Sequence, residues 1–178
     1  PIYYLQTVVL VLQQKVTPAQ LQCALQQLVQ QHDGLRLNVG DHQHQLYYNI
    51  AHLQTEFALQ HHQLDADATS TDLEQIKKIL TAHLNIESSL LIGAALVTQE
   101  GVADRLVMSA HHLLVDGISW RILFGHLALL LSQQQMGEEM RLPAKTASLI
   151  DWAAAQQARQ ALDASEITYW DEVESTDF

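Results

Sequence analysis

The sequence predicts an α/β protein of the α+β two-layer sandwich kind, in which helices pack on a mixed sheet. Stretches rich in apolar and β-branched residues alternate along the chain with stretches whose apolar residues recur at helical spacing. The 178 residues, 48% of them hydrophobic, are enough for one domain with a sizeable core. The sequence lacks the glycine-rich turn of a nucleotide-binding crossover. Helices packed on one face of a mixed sheet are therefore the expected architecture.

The first 69 residues are predicted to contain several strands and one helix. Runs of apolar and β-branched residues indicate the strands, and Thr17 followed by Pro18 is typical of an N-cap and a first helical position. Gly34 is expected to end that helix as a C-cap. The predicted order is a strand over 7–12, the helix, a hairpin of strands 35–39 and 45–49, a strand over 53–59 and a polar loop over 61–69.

The rest of the chain, from residue 71, is predicted to contribute two strands and further helices. A capping box from Thr71 to Glu74 starts the first helix, and Ser148 is expected to cap another. The predicted order is a helix with its apolar face between Leu73 and Leu84, strands over 90–98 and 105–110, a helix over 118–131 that is buried on most sides, a loop over 133–145, a helix from Ser148 to Ala161 and a helical turn over 166–170.

Charge and composition exclude several classes of partner. The formal net charge is −11, from 9 Lys and Arg against 20 Asp and Glu, so no nucleic acid and no anionic membrane is expected as a partner. The apolar runs are too short to cross a membrane, and no secretory signal pattern is present. The single cysteine, Cys23, is predicted to be a small core residue of the first helix, which fits a reducing, cytoplasmic location. The start at Pro1 indicates a piece cut from a longer protein.

The stretch from His111 to Gly117, which reads HHLLVDG, is the strongest candidate site. An imidazole titrates near neutral pH, so it can donate or accept a proton under ordinary conditions. Asp-Gly at the start of a helix supplies a capping carboxylate and a tolerant backbone. This pattern predicts one histidine held at the mouth of a site. The alternative is a pair of histidines satisfied by a loop, with Asp116 as an ordinary N-cap.

Six further histidines raise the question of a metal site. No carboxylate or cysteine falls at a diagnostic spacing near them, so no metal is expected and the side chains are predicted to be solvated. These histidines are His42, His44, His52, His61, His62 and His83.

The candidate stretch resembles HHxxxDG, the hallmark of the condensation superfamily of nonribosomal peptide synthetases, which shares the fold of chloramphenicol acetyltransferase. The longer run HHLLVDGISWRIL is similar to the epimerization subtype, in which Ser-Trp-Arg follows the glycine. Three further segments agree: QQHDGLRLNV at 30–39, LPAKTASLIDWA at 142–153 and TYW at 168–170. The resemblance covers about residues 8–170. It implies that residues 1–178 form one N-terminal lobe of such a domain, with 142–178 leading toward a C-terminal lobe.

The resemblance also implies roles for the motif residues. His112 would be catalytic, as one of two acid/base groups that move the α-proton of a thioester on a carrier protein. The second group, a glutamate in a Glu-Gly-His-Gly-Arg-like segment, would lie on the second lobe, since this sequence has no such segment. His111, which alternation turns away from His112, would be structural. Asp116 would form an ion pair with Arg36, and Gly117 would allow a tight turn and close approach of the substrate.

Residues after the motif are candidates for contact with the substrate tunnel or with the carrier protein. These are Ser119, Trp120 and Arg121, although core packing is an equally good interpretation of Trp120. Because the net charge is strongly negative, docking of an acidic carrier would need a local basic or apolar patch, for which Arg121, Arg141 and Lys145 are the nearest cations.

Three functions remain open at this point. The first is an epimerization half-domain, an isomerase that inverts a carrier-bound residue. The second is a condensation domain, in which His112 would position an attacking amine. The third is a lobe without chemistry that binds carrier proteins. In each case the chain itself is expected to bind no cofactor, because the substrate arrives on the 4′-phosphopantetheine of the carrier.

Overall fold

The structure, a computed structural model, describes residues 4–40, 45–82, 84–159 and 164–175. The chain divides into two compact units, residues 1–145 and 146–178. The first unit contains the sheets and the histidine motif, and the described residues of the second contain two helices. That both units belong to one N-terminal lobe spanning 1–178 stays a prediction.

The main sheet of the first unit is mixed and has four strands in the described part of the chain. Its spatial order is β1-β6-β5-β4, with antiparallel pairing of β1 to β6 and of β6 to β5, and parallel pairing of β5 to β4. A short antiparallel pair, β2 with β3, lies apart from it. The strands are β1 (Leu5–Val11), β2 (Leu37–Val39), β3 (Leu46–Tyr48), β4 (Leu59–Leu64), β5 (Ile92–Gln99) and β6 (Val102–His111).

Helices cover both faces of this sheet. On one face, alternate residues of β6 such as Met108 pack against α1 and α3 in the larger core, and on the other face Val107 packs against α2 in a smaller core. The mixed sheet with helices packed on it is therefore confirmed. The predicted two-layer arrangement, with helices on one face, is wrong because α2 buries its apolar stripe on the second face. The helices are α1 (Pro18–Gln31), α2 (Ser70–Thr81), α3 (Gly117–Met136), α4 (Leu149–Ala158) and α5 (Ala164–Glu174), with 3-10 turns at Asp33–Arg36 and Ile50–Leu53.

Helix α1 starts as predicted and ends earlier than predicted. The Thr17 side chain caps the Gln20 backbone N–H, and the Gln20 side chain bonds back to the Thr17 backbone N–H. The helix ends at Gln31 with His32 as its C-cap, and Gly34 lies in the following 3-10 turn. The prediction for Gly34 was wrong because its φ is not in the left-handed region that a glycine C-cap uses.

Cys23 is exposed, which corrects its predicted place in the core. The buried stripe of α1 includes Leu21, Ala24 and Leu28. At 100° per residue, Cys23 lies about 200° from Leu21 around the helix, on its solvent side.

The segment from 53 to 69 differs most from its prediction. The expected strand over 53–59 is wrong, since Ile50–Leu53 forms a 3-10 turn and the strand runs over Leu59–Leu64, within the expected polar loop. Its polar sequence pairs along β5 at the edge of the sheet, where the backbone ladder forms without an apolar side chain at each position. Helix α2 is capped by Thr69 with Asp72, two residues before the predicted capping box.

Helix α3 is longer and more exposed than predicted. It buries one stripe of side chains, whereas Ile118 and Ile122 are 69% and 48% exposed, so burial on most sides is wrong. It continues to Met136 and ends at Gly137, whose φ of 71° suits a left-handed C-cap. In the second unit, Ser148 caps α4 as predicted, and α4 runs to Ala158 in the described part of the chain.

Candidate functional site

The histidine motif forms a strand, a tight turn and a helix start. Strand β6 ends at His111, and the Leu114 backbone N–H donates to the His111 carbonyl at 2.9 Å to close the turn. Helix α3 begins at Gly117 with Asp116 as its N-cap. The turn is thus anchored by the sheet on one side and by a capped helix on the other.

Asp116 acts as the helix cap of the motif. Its carboxylate accepts hydrogen bonds from the backbone N–H and the hydroxyl of Ser119, each at 2.7 Å. These bonds, led by the one from the Ser119 backbone, lower the pKa of Asp116 below its ordinary value. The carboxylate therefore stays ionised and holds the first turn of α3 in place.

Arg36 does not pair with Asp116, which corrects the ion pair that the resemblance implied. Its buried guanidinium donates to the backbone carbonyls of Val29 and Gln30 and to the Asp33 carboxylate. Arg36 lies in the turn directly after α1, so these partners are within local reach. The arginine closes the C-terminal end of α1, whose last carbonyls would otherwise lack donors.

Asp33 receives a second cation from Lys145, whose ammonium donates to the carboxylate at 2.8 Å. Partial burial acts to raise the pKa of Asp33, but the hydrogen bonds from Lys145 and Arg36 outweigh it and lower the pKa. Lys145 is therefore engaged within its own unit, and Arg141 is likewise paired with Glu139. Of the three predicted docking cations, Arg121 alone has no ion pair among the residues that the structure describes.

His111 is the more enclosed member of the histidine pair. It lies opposite Leu5 of β1, and its Nδ1 accepts the Leu113 backbone N–H at 3.0 Å. Burial, followed by the nearby His112 ring, lowers the pKa of His111. A neutral ring protonated at Nε2 fits this arrangement, because Nδ1 must keep its lone pair for Leu113.

His112 has an exposed side chain on a fixed backbone. Its N–H donates to the Tyr4 carbonyl at 2.7 Å, which extends the β1–β6 ladder to the motif. Within the described ranges, neither ring nitrogen of His112 makes a hydrogen bond to the protein. The backbone is held while both nitrogens are available, as an acid/base group requires.

Trp120 is part of the core and does not line an exposed surface of this chain. It is 6% exposed, packs with the larger core and stacks on Phe124 with ring centroids 5.3 Å apart. Its indole N–H donates to Oε1 of Gln6 on β1 at 2.8 Å. Sequence reasoning missed Gln6, although it is the one polar residue among the alternate positions 6, 8, 10 and 12 of the first strand.

Gly117 does not need to be glycine for the fold of this chain. Its φ lies outside the left-handed region, and a Cβ added to it would meet no atom within 4 Å in the described structure. Close approach of a substrate to its backbone stays a prediction. Ser119 and Arg121 lie on the first turns of α3, where Ser119 bonds to Asp116 and Arg121 is exposed.

The other histidines are distributed over several elements. His52 is buried and its Nε2 bonds to Asn38 Oδ1 at 3.0 Å, so its prediction as a solvated side chain was wrong. His61 and His62 lie on β4, while His42, His44 and His83 fall outside the described residues. Over the described ranges, no three His, Cys, Asp or Glu side chains are grouped as metal ligands. No helix found there has both the length and the apolar character of a membrane span.

Comparisons with known proteins place this geometry in a family. The model of the family described as "Condensation domain" matches residues 1–177. Gramicidin S synthase 1 of Brevibacillus brevis is 35% identical over 154 residues, which are 80% of this chain and 13% of the relative. Tyrocidine synthase 1 of Brevibacillus parabrevis is 33% identical over 171 residues, which are 89% of this chain and 15% of the relative.

Solved structures give the same result for the fold. The epimerization domain from the third module of tyrocidine synthetase B superimposes with a TM-score of 0.86 at 29% identity, over 98% of this chain and 41% of that one. The starter condensation domain of rhizomide synthetase gives a TM-score of 0.71 at 20% identity, over 97% of this chain and 42% of that one. The chain thus spans less than half of these structures and a small part of the synthetases. It belongs to the condensation-domain family of nonribosomal peptide synthetases and has the chloramphenicol acetyltransferase-like fold of that family.

Proposed function

We propose that this chain is the N-terminal half of an epimerization domain, which inverts the α-carbon of an aminoacyl or peptidyl thioester. The substrate would arrive on the 4′-phosphopantetheine of a carrier protein. The observation that carries the proposal is His112, whose backbone is fixed by Tyr4 while its exposed ring keeps both nitrogens free of the protein in the described structure. The likeness to the tyrocidine synthetase epimerization domain, at 29% identity and a TM-score of 0.86, favours this subtype.

The chemistry requires two groups on opposite sides of the α-carbon. A base removes the α-proton, and the electron pair of the C–H bond moves into the thioester carbonyl to form an enolate. An acid then returns a proton to the opposite face, and nearby donors must stabilise the enolate oxygen between the two steps. His112 is assigned to one side because an imidazole serves as acid or base near neutral pH. The other group would come from the second lobe.

Arg121 is the proposed contact for the carrier protein. It is exposed on α3, close in sequence to the motif, and has no ion pair in the part of the chain that the structure describes. A free cation in a chain with a net charge of −11 supplies the local attraction that docking of an acidic partner needs. Arg141 and Lys145 are weaker candidates because each is paired with a carboxylate of the chain.

A condensation domain is the second candidate function. The match to the family model and the shared fold of the rhizomide starter condensation domain support it. In that case His112 would position an amine for attack on a thioester, and no α-proton would exchange. A carrier-binding lobe without chemistry is the third candidate, which loss of the second lobe would produce.

The test is α-proton exchange on a carrier-bound aminoacyl thioester in heavy water. It uses the parent domain with both lobes, with His112→Ala beside the wild type. We expect deuterium uptake and mixed stereochemistry in the wild type, and a loss of at least about a hundredfold in the variant. Peptide-bond formation without α-proton exchange would favour condensation. A folded parent with neither activity would leave the carrier-binding function.

A further inference from the structure

Gln6 is an exception on the inner side of β1. The alternate residues Val8, Leu10 and Leu12 pack against the larger core. Gln6 continues this row next to them and lies opposite Ala110 of β6. A half-buried amide at the end of an apolar row is costly unless its polar atoms find partners.

The partner of Gln6 is the indole of Trp120. The Trp120 Nε1–H donates to Gln6 Oε1 at 2.8 Å, across 114 residues of sequence. Trp120 is 6% exposed, so its N–H has little access to water and depends on this acceptor. The hydrogen bond joins the start of β1 to the first turns of α3.

The same end of β1 also holds the backbone of His112. Tyr4, two residues before Gln6, accepts the His112 backbone N–H at 2.7 Å. On the other side, the Trp120 backbone N–H donates to the Asp116 carbonyl at 3.0 Å. The turn that carries His112 is therefore linked to β1 through Tyr4 and to α3 through Asp116. The bond between Gln6 and the Trp120 indole joins these two elements directly.

We propose that Gln6 is a positioning residue for His112, acting through the Trp120 indole and the first residues of β1. The inference rests on the proposed epimerization function and adds a residue on a different strand from the motif. Without the Gln6 acceptor, the indole N–H is left unpaired beside an apolar core, and Trp120 shifts or takes up water. Either response moves the start of α3 relative to β1, and His112 is attached to both.

The test compares variants of the parent domain in the α-proton exchange assay. Gln6→Met keeps the side-chain length and removes the acceptor, and Gln6→Glu keeps an acceptor oxygen. Trp120→Phe removes the same hydrogen bond from the donor side. We expect Gln6→Met to lower kcat about tenfold with KM unchanged, because a small misplacement of an acid/base group acts on the chemical step. Gln6→Glu should recover most of kcat.

The double variant with Gln6→Met and Trp120→Phe provides a second readout. Both substitutions remove the same hydrogen bond, between the Trp120 indole and Gln6. The kcat of the double variant should therefore be only slightly lower than that of the more strongly affected single variant. If Gln6→Met does not fold, the comparison of Gln6→Glu with Trp120→Phe still tests the link. A Trp120→Phe variant with wild-type kcat would then overturn it.

Thr7→Val is the matched control. Thr7 lies next to Gln6 on β1, and its hydroxyl bonds to the Ser109 hydroxyl at 2.6 Å, away from the indole. It should lower the unfolding midpoint without changing kcat. Equal kcat losses in Thr7→Val and Gln6→Met would indicate general loosening of β1 and would overturn the proposal, as would full activity of Gln6→Met. A folded wild type without α-proton exchange would instead overturn the proposed function, and this inference with it.

Discussion

His111 and His112 are adjacent in sequence but lie in different surroundings. His111 is half-buried opposite Leu5, and its Nδ1 is occupied by the Leu113 N–H. The His112 ring is exposed, and among the described residues its only hydrogen bond is the one from its backbone to Tyr4. The two rings differ in exposure because His111 is the last residue of β6, whereas His112 lies in the turn that follows the strand. At the end of β6, His111 therefore holds the turn, while the ring of His112 is available for chemistry.

The two sheet faces should differ in how much they contribute to stability. Leu123 of α3 belongs to the larger core and Leu80 of α2 to the smaller one, and they are 3% and 6% exposed. Because a larger core leaves a deeper cavity, we expect Leu123→Ala to lower the free energy of unfolding by about 3–5 kcal/mol and Leu80→Ala by about 2–3 kcal/mol. Urea unfolding of the two matched variants measures the difference. Equal losses would mean that both faces are packed alike.

Arg36 should matter for stability through α1 rather than through the motif. Arg36→Met removes the donors to Val29, Gln30 and Asp33 while keeping much of the side-chain volume. We expect a loss of about 2–3 kcal/mol in the free energy of unfolding, because the two carbonyls lose a donor and the Asp33 carboxylate loses one of its two cations. Asp116→Asn, which keeps a capping oxygen, is the comparison. Equal losses of stability in Arg36→Met and Asp116→Asn, with coupling in the double variant, would show that the two residues form the ion pair implied by the resemblance.

Acidification should destabilise the fold through its enclosed histidines. Burial is the largest cause that lowers the pKa of His32, His52 and His111 below 6.5 in the folded chain. The unfolded chain then binds more protons, so stability is present above pH 6.5 and is lost as the pH falls toward the lowered folded values. Urea unfolding at pH 7.5 and pH 5.5 measures this loss, and His52→Gln should reduce it. Unchanged stability across this range would contradict the burial of these rings.

Cys23 should give the smallest effect. It is exposed on α1, so Cys23→Ser should change the free energy of unfolding by no more than about 0.5 kcal/mol. In the folded protein the thiol should react with a maleimide at a rate close to that of a free peptide thiol. A thiol that does not react, or a loss of several kcal/mol in the free energy of unfolding, would show that Cys23 lies in the core.

The sequence was most informative where a local rule decides the structure. Thr17 with Pro18, Ser148 and the strand that leads to His111 were located correctly, because caps and apolar alternation act over a few residues. It was least informative where tertiary contacts decide. The polar strand at 59–64 exists because β5 offers a pairing edge. The role proposed for Gln6 depends on its hydrogen bond to Trp120, which lies 114 residues away in the sequence. The predicted Arg36–Asp116 ion pair is wrong because Arg36 bonds to Asp33 and Asp116 bonds to Ser119.

The most direct test of the division between the two histidines measures exchange and stability in the same pair of variants. His112→Leu and His111→Leu are made in the parent domain, with His111→Asn as the control that keeps an acceptor near Leu113. We predict that His112→Leu loses α-proton exchange and keeps its unfolding midpoint, whereas His111→Leu loses stability and His111→Asn recovers part of it. Loss of exchange in a stable His111→Leu, with His112→Leu still active, would contradict the account.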